Sequence, residues 1–269
     1  MLPLDKAVLG QGTWRMGGPA MRREEVAALR LGVELGLTLV DTAEIYNDGD
    51  AEHLVGEALA DRRDDLFIVS KVAPQNAGRD RIASACEASL RRLKTDRIDL
   101  YLLHWRDHRP LGEIVEGMEA LKADGKIGAW GVSNFDVADM EQLIAADGAG
   151  CAANQVAYNL GHRGVEFDLL PWLAGRGMAA MAYSPLDKAR LLGSPVLAGI
   201  GRRHDVAPAT VALAFTLRLP GMISIPKASK LEHVQQAHAA TRLQLTDEDL
   251  ADLDAAFAPP TAKMRLVLL

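Results

Sequence analysis

Leu39-Val40-Asp41-Thr42-Ala43-Glu44-Ile45-Tyr46-Asn47 is the stretch that decides how the chain is read. A short apolar run reads as a buried strand. It ends in an aspartate, and a tyrosine follows five residues later in a predicted loop. Packing gives a carboxylate no reason to sit at an apolar strand tip, because a buried charge is costly unless paired. A tyrosine able to reach back to that tip points to proton chemistry. The flanking sequence must then show whether other strands bring partners to the same end.

The same punctuation recurs outward from this stretch. Upstream, residues 8–14 read as a short strand running into a turn with Gly10, Gly12, Gly17 and Gly18. Residues 23–35 form an amphipathic helix with Val26, Leu29 and Val33 on its apolar face, and Gly36 sits where a helix C′ glycine belongs. Strand 37–41 follows. Downstream come helix 51–60, strand 66–71 ending in lysine, helix 80–93, strand 98–104 ending in histidine, and helix 111–124 closed by Gly125. The second half continues with strand 129–133, helix 137–146 behind an Asp136 N-cap, strand 152–156, helix 169–176 and strand 178–183. Helix 210–217, strand 222–226 and helix 231–240 complete the series, and Thr246 with Asp249 marks a capping box for one further helix.

Strands apolar on both faces and alternating with helices describe a parallel sheet wrapped by helices. Eight such units predict an α/β fold, a (β/α)8 TIM barrel with an extra C-terminal helix and tail, as one domain over residues 1–269. A doubly wound open sheet is the alternative. Its nucleotide-binding form would need a glycine at position 15, where the chain has Arg15.

Composition narrows the function classes. Hydrophobic residues make up 49% and charged residues 25% of the 269, ordinary for a soluble globular protein. The net charge of −6 offers no basic footprint for nucleic acid or an anionic membrane surface. Cys86 and Cys151, without a CxxC, read as buried thiols in a reducing compartment, and no metal site is assigned. No leader-like N-terminus and no apolar run of membrane-spanning length is read. The expectation is a cytoplasmic monomer or weak homodimer with no nucleic-acid or membrane partner.

In a parallel barrel the C-terminal strand ends share one face. Asp41, Lys71, His104, Ser133, Asn134, Gln155, Tyr183 and Lys227 are thereby placed around one mouth. The first three combine with Tyr46. A free tyrosine titrates at about 10, and a lysine ammonium beside it is expected to stabilise the phenolate and lower that value. An aspartate beside the lysine keeps it charged and aimed. A histidine can fix a substrate oxygen or share the proton. Together they supply a general acid for a carbonyl oxygen that is gaining negative charge. Singly, each has an ordinary reading: Asp41 as an N-cap, Tyr46 as a packed loop residue, Lys71 as a surface lysine, His104 as structural. Three strand ends converging on one device favour the functional reading.

The segments Asp41-Thr42-Ala43 with Tyr46, the strand ending in Lys71, Leu102-Leu103-His104-Trp105, Gly131-Val132-Ser133-Asn134-Phe135, Asn154-Gln155, Tyr183-Ser184-Pro185-Leu186 and Ile225-Pro226-Lys227 occur in order. In order and spacing they resemble the aldo-keto reductase family over nearly the whole chain. The likeness is greatest to short-loop bacterial members that reduce methylglyoxal and other small aldehydes. The resemblance implies a nicotinamide cofactor held at the barrel mouth without a Rossmann domain. It makes Tyr46 the acid, Lys71 and Asp41 its tuning pair, and His104 the orienter of the carbonyl. Ser133, Asn134 and Gln155 would hold the carboxamide, Tyr183 would stack on the nicotinamide, and Ser184, Pro185 and Leu186 would support the pyrophosphate. Lys227 would meet the adenosine-side phosphate. Gly12, Thr13 and Trp14 from the first turn, with Ala228, Ser229, His233 and Gln236 at the adenosine end, complete the expected cofactor contacts. Neighbouring strand residues face opposite sides, so Gln155 is read as the cofactor contact and Asn154 as structural.

Trp14, Tyr46, His104 and Trp105, with Ile45 and Asn47, are expected to line the substrate pocket. No long lid follows the last helix, which suits small aldehydes and ketoaldehydes. The apolar tail Met264-Arg265-Leu266-Val267-Leu268-Leu269 has two places to pack, the barrel mouth or a neighbouring subunit. Two other functions fit parts of the pattern. A cofactor-sensing binding subunit, resembling the β-subunits of potassium channels, would keep the cofactor site with little turnover. A barrel hydrolase would pair Asp41 with Glu44 and leave Lys71 and His104 without roles.

The chain departs from the family pattern at the adenosine end. Where the family commonly has serine after the lysine, an arginine six residues past it that grips the 2′-phosphate of NADPH, and an asparagine four residues later, this chain has Ala228, His233 and Ala237. Histidine is a weaker, pH-dependent cation. Lys227, Lys230 and His233 still form a cationic cluster, so NADPH is expected to be preferred, with NADH accepted under reduced discrimination. His233→Arg should tighten NADPH by about tenfold and move NADH far less. An unchanged ratio of the two affinities in a fluorescence titration would remove His233 from the phosphate site.

Overall fold

Short apolar runs become strands here because both of their faces find cover, the inner one in a barrel interior and the outer one under helices. The computed structural model describes residues 8–269; the N-terminal part of the leader-free reading, on residues 1–7, lies outside the described residues. The elements are β1 (Val8–Leu9), β2 (Gln11–Gly12), α1 (Arg22–Glu34), β3 (Leu39–Asp41), α2 (Asp50–Leu59), β4 (Phe67–Val72), α3 (Ile82–Leu93), β5 (Ile98–Leu103), α4 (Leu111–Ala123) and β6 (Ile127–Ser133). They continue with α5 (Val137–Ala145), β7 (Cys151–Ala157), α6 (Leu169–Ala174), β8 (Ala179–Tyr183), α7 (Pro195–His204), α8 (Pro208–Leu217), β9 (Met222–Ser224), α9 (Leu231–Ala240) and α10 (Asp247–Ala256).

Every ladder between these strands is parallel, in the order β1-β9-β8-β7-β6-β5-β4-β3-β2. β1 and β2 are two pieces of one strand broken at Gly10. β1 pairs with β9 and β2 with β3, so this strand closes the sheet on itself. Gly10 N donates to Ser224 O at 2.8 Å, and Gly12 N donates to Pro226 O at 2.9 Å, carrying the seam forward. The nine segments thus fill eight barrel positions, and the (β/α)8 reading holds.

The alternation along each strand places the site. Leu39, Val69, Leu100, Leu102, Ala153, Ala179, Met181, Ile223 and Ile225 form one buried cluster inside the barrel. Stepping two residues along the same columns leads to Asp41, Lys71, His104, Gln155, Tyr183 and Lys227. Each inward column is therefore apolar below and polar at its C-terminal tip. The outward set, including Val40, Ile68, Tyr101, Leu103, Trp130 and Val132, packs with the helices in a second, larger cluster.

The N-cap expected at Asp136 and the capping box expected at Thr246 both form, and Asp136 turns out to be a full box as well. Asp136 accepts from Asp139 N and Thr246 accepts from Asp249 N, each with the reciprocal bond. Helix α7 is an addition to the sequence reading. It begins with Pro195 at its first turn and ends in Arg202-Arg203-His204, which suits the helix dipole. Only Leu197, Ile200 and Gly201 are buried. It lies within the β8–β9 connection with no strand before it, so strand–helix alternation does not announce it.

Gly12 has a steric role in the seam. A Cβ there would stand 2.7 Å from Ile225 O, a backbone atom of the adjoining strand. Gly12→Ala should cost about 1–3 kcal/mol and lower the urea midpoint; an unmoved midpoint would mean that the seam is slack.

Candidate active site

The inward columns open onto a cavity of about 920 Å³ bordered by Asp41, Tyr46 and His104. Lys71 is fully buried behind them. Its Nζ donates to Asp41 Oδ1 at 2.8 Å, to Asp41 Oδ2 at 2.7 Å and to Thr42 O at 2.8 Å, and it lies 3.3 Å from the Tyr46 hydroxyl. Tyr46 reaches back from the loop after β3, where Asn47 and Asp48 take left-handed conformations (φ 50° and 53°) before Gly49 opens α2.

Burial works against both members of the ion pair. It pushes the Asp41 carboxyl above the usual carboxylate range, against the pull of Lys71 and of a hydrogen bond from Gln155. Burial opposes the Lys71 ammonium too and is the largest single effect, but Asp41 and Tyr46 together outweigh it and hold Lys71 above its ordinary value. For Tyr46 the structure corrects the sequence reading. Burial raises the hydroxyl above its ordinary value, and the opposing effect of Lys71 does not overcome it. Tyr46 is therefore firmly protonated. Lys71 moderates that rise instead of producing a net fall.

His104 is pulled down to about 3, first by burial and then by the Lys71 charge. The ring is therefore neutral and cannot share a proton. Nδ1 is buried without a partner. A lone pair left bare there costs less than an unmet N–H, so the proton belongs on Nε2. The ring meets Tyr46 edge-on at 5.6 Å and lies 4.9 Å from Trp105, centroid to centroid. The hydrolase pairing finds no geometry. Glu44 Oε1 accepts from Ala73 N at 2.7 Å and Asn76 Nδ2 at 3.0 Å, while both Asp41 oxygens are bound by Lys71.

Beside this cluster lies a polar ledge. Ser133 Oγ donates to Gln155 O at 2.8 Å, Asn134 Nδ2 donates to His104 O at 3.2 Å, and the Tyr183 hydroxyl donates to Asn134 Oδ1 at 3.0 Å. Gln155 Nε2 donates across the barrel to Asp41 Oδ1 at 2.8 Å. Asn154 turns away and donates to Phe135 O at 2.8 Å. Ser184, Pro185 and Leu186 border the cavity. Ser184, Asp187, Lys188 and Ala189 have φ between 46° and 70°. Four left-handed residues other than glycine in so short a loop store strain, a feature that clusters at binding sites.

At the adenosine end of the predicted site Lys227, Ala228, His233 and Gln236 border the cavity, as do Gly12 and Trp14. Thr13 and Ser229 stand outside that lining. Thr13 is buried and its Oγ1 donates to Asp41 O at 3.0 Å, while Ser229 Oγ donates to Glu25 Oε1 at 3.1 Å. Both brace the walls. Ile45, Asn47 and Trp105 border the cavity on the other side. The sequence reading did not include Arg15 or Lys188. Their charged groups lie 4.4 Å and 5.4 Å from the Trp14 ring, and both border the cavity. Arg15 figured there only as a missing glycine, and Lys188 falls between predicted elements. The tail packs on the mouth. Leu268 and Leu269 border the cavity, and Leu269 N donates to the Tyr183 hydroxyl at 3.3 Å.

Residues 8–258 match the Aldo/keto reductase family model, and the chain belongs to that family. Among its relatives is methylglyoxal reductase YeaE of Escherichia coli (strain K12), 51% identical over 265 residues that cover 96% of this chain and 93% of that protein. Methylglyoxal reductase DkgB of Salmonella typhimurium (strain LT2) is 33% identical over 249 residues, 89% of each chain. A crystal structure of an aldo/keto reductase from Klebsiella pneumoniae in complex with NADP and acetate superposes with a TM-score of 0.96 at 48% identity, covering 97% of this chain and 95% of that one.

The depressed His104 has two measurable consequences. Its imidazole resonances should show no titration near the ordinary value of 6.5. Because the unfolded chain takes up this proton first, the corresponding stability is fully present above 6.5 and is lost as pH falls toward about 3. An NMR inflection near ~6.5 would place a proton on the ring in the native state.

Proposed function

We propose that the chain is an NADPH-dependent reductase of small aldehydes and ketoaldehydes of the methylglyoxal type. The observation that carries this reading is the buried Lys71 ammonium held by Asp41 and set 3.3 Å from a protonated Tyr46 hydroxyl at the cavity wall. The cavity suits a nicotinamide dinucleotide. A polar ledge stands at one end, Lys227 and His233 stand at the other, and the Ser184–Ala189 loop borders the same cavity. The YeaE and DkgB relatives are methylglyoxal reductases, and the Klebsiella structure holds NADP.

Bound NADPH supplies the hydride that the carbonyl carbon accepts. This chain's residues handle the oxygen. His104, neutral with its proton on Nε2, donates a hydrogen bond that orients the carbonyl and excludes nothing from Tyr46. As the oxygen gains charge, Tyr46 gives up its proton, because an alkoxide is far more basic than a phenolate. Lys71 stabilises the phenolate left behind, and Asp41 keeps Lys71 charged and aimed. Ser133, Asn134, Gln155 and Tyr183 position the carboxamide and nicotinamide face. Trp14 and Trp105, with 39% and 38% of their surfaces exposed, offer aromatic walls to the substrate.

A reductase with this device turns over, and no observation favours a cofactor-sensing subunit. A cytoplasmic location fits the two free, buried cysteines. A monomer or weak homodimer is our reading of its assembly. Among the described residues no helix is long and apolar enough to cross a membrane.

Loss of NADPH absorbance with methylglyoxal tests the activity directly. Tyr46→Phe should lower kcat by about 10²–10⁴-fold while NADPH still binds. Asp41→Asn should reduce it less, by misplacing Lys71. Preserved turnover in Tyr46→Phe sinks the mechanism, and equal residual activity in the two variants reverses the order of importance.

A further inference from the structure

We infer that Gln155 is a positioning residue of the acid device, which locks the Asp41 carboxylate from the opposite wall of the barrel; this rests on the roles given above to Tyr46, Lys71 and Asp41. Gln155 sits on β7, and β4, β5 and β6 lie between it and β3 around the sheet. The bond from its Nε2 to Asp41 Oδ1 at 2.8 Å therefore crosses the interior. The residue is 1% exposed. The amide cannot be reversed, because a carboxylate offers only lone pairs and must face the nitrogen.

The carboxylate is thus held at three points. Oδ1 accepts from Lys71 and Gln155, and Oδ2 accepts from Lys71. Lys71 alone would let the carboxylate pivot about its own axis, carrying the ammonium with it. The Tyr46 hydroxyl is the farthest of the four Lys71 neighbours, at 3.3 Å, so it is the contact that a small pivot would sever. Gln155 supplies the fixed second donor that prevents the pivot, and it does so in a site where burial opposes the Asp41 charge.

The locked amide has a second effect. Nε2 directs its second proton at Met181 Sδ, 3.9 Å away, and among the described residues no hydrogen bond reaches Gln155 Oε1, so the atom the side chain has left for a ligand is an acceptor. The backbone oxygen of the same residue accepts from Ser133 Oγ at 2.8 Å and Asn134 N at 2.9 Å. One residue therefore joins the carboxamide ledge to the proton-donating cluster. It reads the amino end of a carboxamide while bracing Asp41.

Gln155→Met keeps length and burial beside Met181 and deletes the donor. At saturating NADPH and methylglyoxal its kcat should fall about 10- to 100-fold, while the NADPH Kd from fluorescence quenching rises only about threefold, the loss of one ordinary contact. In an Asp41→Asn background the same change should alter kcat by less than about threefold, because the group being held is gone. An unchanged kcat with a weakened Kd overturns the inference and leaves Gln155 as a ligand contact alone. Additive losses in the two backgrounds overturn it as well. Should Gln155→Met fail to fold, Gln155→Leu asks the same question: its apolar side chain offers Asp41 no donor at any pH, so kcat must fall, and undiminished kcat refutes the role. Turnover surviving in Tyr46→Phe would instead dismantle the underlying mechanism, whatever Gln155 does.

Discussion

An ammonium and a carboxylate sealed from water are the constraint on which this structure turns. Removing each ion from solvent costs several kcal/mol even after relaxation. Their attraction repays that only with tight geometry and with no donor or acceptor left over. Lys71 meets the condition with contacts of 2.7–2.8 Å to both Asp41 oxygens and to Thr42 O. Such a pair cannot be assembled by one element. β3 carries the carboxylate, β4 the ammonium and β7 the amide that steadies them. The parallel barrel is the arrangement that brings three strand tips within bonding distance while helices keep water from the outside.

The remaining parts of the site follow from that commitment. Burial, with the Lys71 charge behind it, keeps His104 neutral, and burial keeps Tyr46 protonated. The site at rest holds its transferable proton on a group that borders the cavity. Around it the wall is either satisfied internally, as at Ser133 and Asn134, or held under strain, as from Ser184 to Ala189. Rigid floor and strained rim divide the work. The floor holds an orientation, and the rim supplies contacts whose ligand-bound energy can offset its backbone cost.

Much of this was legible in the residues. Strand positions were readable because the inner columns are apolar until their last inward residue, so polarity itself marks the tips at Asp41, Lys71, His104 and Gln155. The N-cap at Asp136 and the capping box at Thr246 were readable because their chemistry is local. Other features depend on distant neighbours. The net direction at Tyr46 required knowing how deeply it lies, since a lysine beside a phenol and burial around it push opposite ways. Thr13 and Ser229 face Asp41 O and Glu25 and not the cavity, a choice that backbone geometry makes. The Gln155–Asp41 bond spans 114 residues, and no spacing along the chain announces it. Helix α7, Arg15 and Lys188 fall where the strand–helix rhythm is silent.

The seam at Gly10 bears on how the molecule comes into being. The first strand pairs with β9 on one side and β3 on the other, so the ring is joined by contacts such as Val8 with Ile223, more than two hundred residues apart. Such pairings of high contact order form late and slowly. On the ribosome, β1 emerges long before its β9 partner exists, and both edges of the incomplete sheet stay open until nearly the whole chain has been made. Open parallel edges are templates for other chains. The interval before closure is therefore when a crowded nascent chain is most exposed to mispairing, and completion of the catalytic mouth and removal of that hazard are a single event.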